Sequence, residues 1–185
     1  MSLPFPGRRL YRLLGNVFLW QHLRVSDNLW RSRPPDCGSW YRFAQLRATD
    51  VLPDELAQFL RDGMSLVDDC LVVGKSDAVP RLDRLRAAVM DKSGYECFVN
   101  QVHLKEHGDS TAVLRQAVAF CSRVSVEALR VAPNRSLRFI ISKNGEDWTV
   151  HFHTLRPDES WVSNDLEGYA EEAVLVLDST ELAVS

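Results

Sequence analysis

Hydrophobic residues recur at helical spacing over residues 110–124, and this spacing predicts a long helix. The apolar stripe consists of Val113, Leu114, Ala117, Val118, Phe120, Cys121 and Val124. Gly108-Asp109-Ser110 is typical of the cap that precedes a helix, and Pro133-Asn134 is typical of its end. Because the stripe is broad, we expect this helix to lie on a sheet.

Residues 137–156 change to strict alternation, which predicts a β-hairpin. Asn144-Gly145 is typical of a two-residue type I′ loop, and closing the hairpin there pairs Lys143 with Glu146. The cross-strand pairs that follow are Ile141 with Trp148, Phe139 with Val150, and Leu137 with Phe152. These six residues share a buried face, and the other face receives Arg138, Ile140, Ser142, Asp147, Thr149, His151 and His153.

Two further helices are predicted in the first half of the chain. The first begins at Pro53-Asp54-Glu55 and ends at Gly63, because proline and acidic residues suit the first turn. Its buried stripe is Leu56, Phe59 and Leu60. The second helix follows Asp77, has Pro80 in its first turn and ends at Gly94, with Leu82, Leu85 and Val89 on its inner face.

Two more strands complete the prediction. Residues 95–104 alternate, with Phe98, Val102 and Leu104 on one face, and residues 173–177 are apolar on both faces, which is typical of an interior strand. Residues 70–73 are apolar but too few to decide between a strand and a helix end. The order α-α-α-β-α-β-β-β predicts an α+β fold with a mainly antiparallel sheet of about four strands, with helices packed on it. The helix from Ser110 is expected on one sheet face and the N-terminal helices on the other face or at an edge.

Charge is distributed unevenly along the 185 residues, whose net charge is −3. Residues 1–47 contain eight arginines against Asp27 and Asp36, whereas residues 145–185 contain ten acidic residues against Arg156. A diffuse basic segment with apolar neighbours is weak support for nucleic-acid binding. The alternatives that stay open for this segment are a structural helix, a targeting segment and a second binding surface.

The chain length predicts one globular unit with two parts. Residues 1–48 form a basic N-terminal helix and an irregular connection packed on the body, and residues 49–185 form the α+β domain. Leu10, Leu13, Leu14, Val17 and Phe18 share the apolar face of that helix. No apolar run approaches the about 20 residues of a membrane span. Cys37, Cys70, Cys97 and Cys121 are too widely spaced for a zinc or redox motif, so reduced, buried thiols and a cytoplasmic location are expected.

The stretch DWTVHFHT, residues 147–154, raises the question of a histidine site. His151 and His153 fall on the same face of their strand, and His103 is the available third metal ligand. The predicted register places Arg138 opposite His151, and a fixed cation disfavours a bound metal, so neither a metal nor a cofactor is predicted. His103-Leu-Lys-Glu106-His107 matches a zinc-peptidase pattern, but that chemistry requires a helix and this segment is predicted as a strand end.

Residues 157–172, PDESWVSNDLEGYAEE, combine acidic residues with two aromatics and contain no base. The segment is also longer than a connection between two strands usually is. One interpretation is a solvated loop with Trp161 and Tyr169 tucked inside. The other is a partner-binding surface formed by Asp158, Glu159, Trp161, Asp165, Glu167, Tyr169, Glu171 and Glu172, in which the acids attract a basic protein and the aromatics supply contact area.

In size, in α+β order and in this acidic segment with aromatics, residues 95–185 resemble the immunity proteins of bacterial contact-dependent toxin systems. That resemblance implies a non-enzymatic cytoplasmic protein that binds and neutralises a cognate toxin, here a basic, nuclease-like one. It implies no residue roles, and the oligomeric state stays open. The alternative hypothesis is a small enzyme that uses His151, His153 and Arg138 on an open sheet face, acting on a phosphate-bearing substrate.

Overall fold

The computed structural model describes residues 24–25, 52–75, 77–85, 89, 91–105, 110–163, 165–166 and 172–182. The predicted N-terminal helix and the irregular connection at residues 26–48 lie outside the described residues. None of the described helices is both long enough and apolar enough to cross a membrane.

Seven strands and four helices make up the described chain, which confirms the α+β class. The strands are β1 (Arg24–Val25), β2 (Met64–Val67), β3 (Cys70–Val73), β4 (Val102–Lys105), β5 (Leu137–Asn144), β6 (Asp147–Thr154) and β7 (Ala173–Asp178). The helices are α1 (Asp54–Arg61), α2 (Leu82–Leu85), α3 (Lys92–Val99) and α4 (Ser110–Val131), followed by a 3₁₀ turn at Ser179–Glu181. One antiparallel sheet has the strand order β1-β7-β5-β6-β4, and β2 and β3 form a separate hairpin.

Helix α4 packs on one face of the large sheet and forms the main core, as its apolar stripe predicts. Residues 118–122 of this helix are all buried, so it is covered on more than one side. Part of that cover comes from α1, whose Phe59 ring meets Phe120 edge-on at a centroid distance of 5.5 Å. The expected position of the N-terminal helices was therefore wrong for α1, which packs against α4 and not on the opposite sheet face or at an edge.

The β5–β6 hairpin has the predicted faces but not the predicted register. Phe139, Ile141, Trp148, Val150 and Phe152 are all buried, as expected. The observed pairs are Ile141 with Val150 and Phe139 with Phe152, so each partner lies two residues further along β6 than predicted. The two-residue loop is Gly145-Glu146, and of these two residues only Gly145 has a positive φ, of 61°. A glycine first in the loop is typical of a type II′ turn, which leaves Asn144 in the strand.

The strand predicted over residues 95–104 was wrong in its first half, which is helix α3. The Asp91 side chain caps this helix by accepting a hydrogen bond from Gly94 N at 2.7 Å. Gly94 therefore lies inside a helix and does not end one, and the preceding helix α2 is only four residues long. Phe98, predicted to share a strand face with Val102 and Leu104, lies on α3 and is 52% exposed. Only residues 102–105 form the strand β4.

The β2–β3 hairpin resolves the segment that the sequence left undecided. Its loop is Asp68-Asp69, with φ of 52° and 66°. Two positive values are typical of a type I′ loop, which aspartate tolerates better than most residues. Val67, Cys70 and Val72 bury against Val89 and Tyr95 in a small second core.

The side chains of Glu96, on α3, and of Asn100, directly after α3, join this hairpin to the large sheet. Asn100 donates to Leu71 O at 2.8 Å and accepts from Val73 N at 3.0 Å. Glu96 accepts from Leu71 N at 2.6 Å and from Thr154 N at 2.5 Å. Glu96 and Asn100 are fully buried. Their side chains form the hydrogen bonds of backbone groups in β3 and at the end of β6 that have no partner on a neighbouring strand.

The second face of the sheet is covered by α3 and by the segment that follows β6. Val162 and Leu166 of that segment bury against Cys97, Ile140, Val174 and Val176. Strand β7 lies between β1 and β5 and is buried over residues 173–177, which confirms the prediction of an interior strand. Cys70, Cys97 and Cys121 are buried free thiols, as expected, and Cys37 lies outside the described residues.

Candidate functional site

The sheet face that carries His151, His153 and Arg138 is largely closed. The observed register places Arg138 opposite His153, not opposite His151 as predicted. The Arg138 guanidinium forms a two-bond pair with Asp178, Nε to Oδ1 at 2.7 Å and Nη2 to Oδ2 at 2.8 Å. The hydrogen bonds to Asp178 raise the pKa of Arg138 against the opposing effect of burial, so the guanidinium stays charged and the Asp178 carboxylate balances that charge.

His153 is 1% exposed and is therefore inaccessible to a substrate. Its Nδ1 donates to Thr154 O at 2.8 Å, and its Nε2 has no hydrogen-bond partner in the described chain. Burial lowers the pKa of His153, because a buried cationic ring would lose its hydration. This histidine is held neutral inside the fold.

His151 lies nearer the surface, beside Trp161. Its Nδ1 donates to Cys97 O at 3.0 Å, and its ring centroid is 6.5 Å from that of Trp161. Burial is the main reason that the pKa of His151 is lowered, and the electrostatic influence of the nearby His103 acts in the same direction. The ring therefore serves as a neutral neighbour of the tryptophan.

No group of three metal-binding side chains occurs among the described residues. His103 is exposed on β4, where its Nε2 lies 2.9 Å from Gln101 Nε2. The peptidase-like pattern starts on this strand, and its Glu106 and His107 lie outside the described residues. The described histidines are therefore distributed over separate environments and not gathered around one point.

The acidic segment divides into a buried layer and an exposed part. Val162 and Leu166 form the layer over the sheet, whereas Trp161, which precedes Val162 in the chain, is 45% exposed. Asp158 and Asp165 are exposed, and Glu172 is half-buried. Glu167, Tyr169 and Glu171 of the predicted surface lie outside the described residues.

The carboxylate of Glu159 is engaged within the protein. Its Oε2 accepts hydrogen bonds from Ser93 N and from Ser93 Oγ, both at 2.8 Å. The same oxygen lies 3.8 Å from Arg156 Nη1. The side chain is 23% exposed, so little of it faces a partner.

Trp161 rests on the backbone of α3 at Gly94. A Cβ atom at Gly94 would lie 3.3 Å from Trp161 Cζ3, closer than ordinary van der Waals contact. Phe98 lies one helical turn beyond Gly94 on the same face, and both aromatic side chains are exposed by about half. The sequence did not indicate Phe98 as a surface residue, because the alternation of residues 95–104 placed it on the same strand face as Val102 and Leu104.

These residues define what we call the acidic-aromatic surface: Phe98, Asp158, Trp161, Asp165 and Glu172. Two cations that flank α3 in the described chain are paired, since Arg156 bonds Glu96 and Lys92 bonds Asp69 at 2.7 Å. These five residues offer exposed apolar area and negative charge.

Comparison with known proteins gives one match, to a family of proteins. Residues 40–185 match the model of the Uncharacterized protein PM0498 family. The chain belongs to that family. No curated protein and no solved structure matches the chain.

The family match includes most of what has been described and leaves out one strand. Helices α1 to α4, strands β2 to β7 and the acidic-aromatic surface all lie within the matched residues. Strand β1, at Arg24–Val25, lies before them. The candidate surface therefore belongs to the part of the chain that defines the family.

Proposed function

We propose that this protein is a non-enzymatic protein-binding module that holds a basic protein partner on its acidic-aromatic surface. The observation that carries the proposal is the position of Trp161, which is 45% exposed although its indole rests on Gly94 and beside His151. A large aromatic ring that is fixed in place and still exposed is typical of a binding anchor.

The residues around Trp161 in the acidic-aromatic surface support a protein partner with positive charge. Phe98 adds exposed apolar area on α3, and Asp158, Asp165 and Glu172 add negative charge on the segment after β6 that carries Trp161. Aromatic residues are enriched at the centres of interfaces, and complementary charge at the rim raises the association rate. A domain that grips nucleic-acid phosphates is basic, so a nuclease toxin is a partner class that this surface suits.

We propose, more specifically, that the protein acts as an immunity protein against such a toxin. The resemblance in size, in fold class and in the acidic segment supports this form of the proposal. Blocking a basic active site requires contact and charge but no chemistry, which agrees with the composition of the surface.

The alternative, a small enzyme that uses His151, His153 and Arg138, has less support. His153 is 1% exposed, and Arg138 is bound by Asp178. The sheet face is covered by Val162 and Leu166, so a substrate has no open access to these three side chains together.

The test uses the product of a large toxin-like gene beside the gene for this protein. Its C-terminal domain is purified, and binding is measured by calorimetry and by surface-based kinetics at low and high salt. Trp161→Ala and Phe98→Ala should each cost about 2 kcal/mol or more of binding free energy if they are hot spots. The triple variant Asp158→Asn, Asp165→Asn, Glu172→Gln should slow association and weaken its salt dependence.

Leu129→Ala is the matched control, because Leu129 is 43% exposed but lies on α4. It should bind like the wild type. The proposal fails if the toxin domain binds and the aromatic and charge variants retain wild-type affinity at low salt. The immunity form fails if co-expression of this protein does not relieve growth arrest by the toxin.

A further inference from the structure

Glu159 sits two residues before Trp161 and is bound at the first turn of α3. The first N–H groups of a helix have no partner within the helix. In α3, the Asp91 side chain satisfies Gly94 N at 2.7 Å, and the Glu159 side chain satisfies Ser93 N at 2.8 Å from outside the helix. A carboxylate at this end is also favoured by the positive end of the helix dipole.

The same turn of the helix carries the tryptophan. Ser93 is fully buried and donates both its N–H and its hydroxyl to Glu159, while the adjacent Gly94 lies under the Trp161 ring. Ser93 therefore holds Glu159, and the next residue, Gly94, supports Trp161, which lies two positions after Glu159 in the loop. Arg156, at the start of the loop, is anchored to Glu96 one turn along the helix.

We propose that Glu159 is a positioning residue, which fixes Trp161 on Gly94 before a partner arrives, and not one of the charges that attract the partner. Its effect on binding rests on the proposed function, whereas its effect on Trp161 does not. Presenting a side chain already in place lowers the entropy lost on binding. Glu159 therefore has a different role from Asp158, the adjacent acid, whose side chain is exposed.

Substitutions at the two adjacent acids distinguish position from charge. Glu159→Gln removes the charge but keeps an oxygen that can accept from Ser93, whereas Glu159→Ala removes both. If Glu159 acts by position, the glutamine variant should behave nearly like the wild type and the alanine variant should not. At Asp158, the asparagine and alanine variants should be equivalent, because only charge is lost there.

The first measurement needs no partner. The full chain is labelled with 5-fluorotryptophan, and the ¹⁹F resonance of Trp161 is assigned with Trp161→Phe. Glu159→Ala should shift or broaden this resonance, and Ser93→Ala, which removes the hydroxyl but keeps the N–H bond to Glu159, should shift it less. Glu159→Gln and Asp158→Asn should leave it near the wild-type position. The Trp148 resonance, assigned in the same way with Trp148→Phe, reports whether each variant is folded. If Glu159→Ala does not fold, Ser93→Ala replaces it in the comparison.

Gly94→Ala gives an independent test of the contact beneath the ring. Because the new Cβ would lie 3.3 Å from the indole, this variant should also shift the Trp161 resonance while keeping every charge. The positioning role is overturned if the folded Glu159→Ala and Ser93→Ala variants, or the folded Gly94→Ala variant, leave the Trp161 resonance unchanged.

Binding of the toxin domain is the second measurement. Glu159→Ala should weaken binding about threefold to tenfold, the range expected for releasing one immobilised side chain, with an unchanged salt dependence. Equal losses in Glu159→Gln and Glu159→Ala, with a weaker salt dependence in each, would show that Glu159 acts as a charge. If no toxin binds, the proposed function fails while the ¹⁹F result still decides the position of Trp161.

Discussion

The guanidinium of Arg156 and the carboxylate of Glu96 form a buried pair with two hydrogen bonds, Nη1 to Oε2 at 2.8 Å and Nη2 to Oε1 at 3.0 Å. Glu96 is fully buried and Arg156 is 13% exposed. Burial is the largest single influence on the pKa of Arg156 and lowers it, but the hydrogen bonds to Glu96 and the negative charges of Glu96 and Glu159 together raise the pKa of the guanidinium. The pair joins α3 to the first residues of the acidic segment.

Arg156→Ala should destabilise the protein by about 3–5 kcal/mol, because it leaves the Glu96 carboxylate buried without its cation. Urea unfolding at neutral pH measures the loss. Arg130→Ala is the control, since its pair with Glu127 is exposed and should contribute about 0.5 kcal/mol or less. A loss below about 1 kcal/mol for Arg156→Ala would contradict the structural role of the pair.

Trp148→Ala should cost about 3–5 kcal/mol of the free energy of unfolding. Trp148 is 2% exposed, and the substitution leaves a cavity between β6 and the main core. Trp161→Ala removes the same side chain from a half-exposed site and should cost much less. Similar losses for the two variants in urea unfolding would contradict this assignment of buried and exposed faces.

The stability of the protein should fall as the pH is lowered through and below about 6.5. Burial lowers the pKa of His151 and of His153 in the folded state below the value of 6.5 for a solvated histidine. Between the folded and unfolded pKa values, the unfolded chain binds more protons, so each histidine can contribute up to about 1.4 kcal/mol per pH unit. His153→Phe should flatten the pH dependence of urea unfolding over about pH 5–7.5. An unchanged slope would show that His153 is protonated equally in the two states.

Native thiol labelling should detect at most one of the four cysteines. Burial, the largest cause in each case, raises the pKa of Cys70 to about 12 and also raises the pKa of Cys97 and of Cys121. Thiolate is the reactive form, so these three should stay unlabelled by an aromatic disulfide reagent near pH 8. All four should react in denaturant, and labelling of two or more in the native protein would contradict the burial of these thiols.

Elements whose pattern agrees with their surroundings could be predicted from the sequence. Helix α4 has a broad apolar stripe, and β5 and β6 alternate cleanly, so their buried faces were predicted residue by residue. The register was not, because Asn144-Gly145 fits a type I′ loop while the protein uses Gly145 first in the loop. The predicted buried face was still correct, because a register shift of two residues leaves each side chain on the same side of the sheet.

Helix α3 could not be predicted because its tertiary role overrides local preference. Tyr95, Phe98 and Val99 favour strands, and their alternation imitates one. The helix is held by Glu96 and Asn100, which lie one turn apart and bond the backbone of β3 and β6. That spacing is visible in the sequence, but its meaning depends on strands from elsewhere in the chain.

The candidate surface was predicted only in part. Trp161 and its acidic neighbours were found from composition. The exposure of Phe98 follows from helix α3, which the sequence pattern predicted as a strand. Composition also groups Glu159 with Asp158, since no sequence pattern separates a carboxylate that caps a distant helix from one that faces solvent.

Strand β1 has a consequence for any shortened form of the protein. It pairs with β7 at Val176 and Leu175, yet it precedes residue 40, where the family match begins. A chain cut at residue 40 would leave the backbone of β7 as the open edge of the sheet, and the residues of that strand are almost entirely apolar. Open apolar edges are templates for pairing between molecules. Because β1 covers this edge at Val176 and Leu175, we expect the shortened chain to aggregate more readily than the full chain.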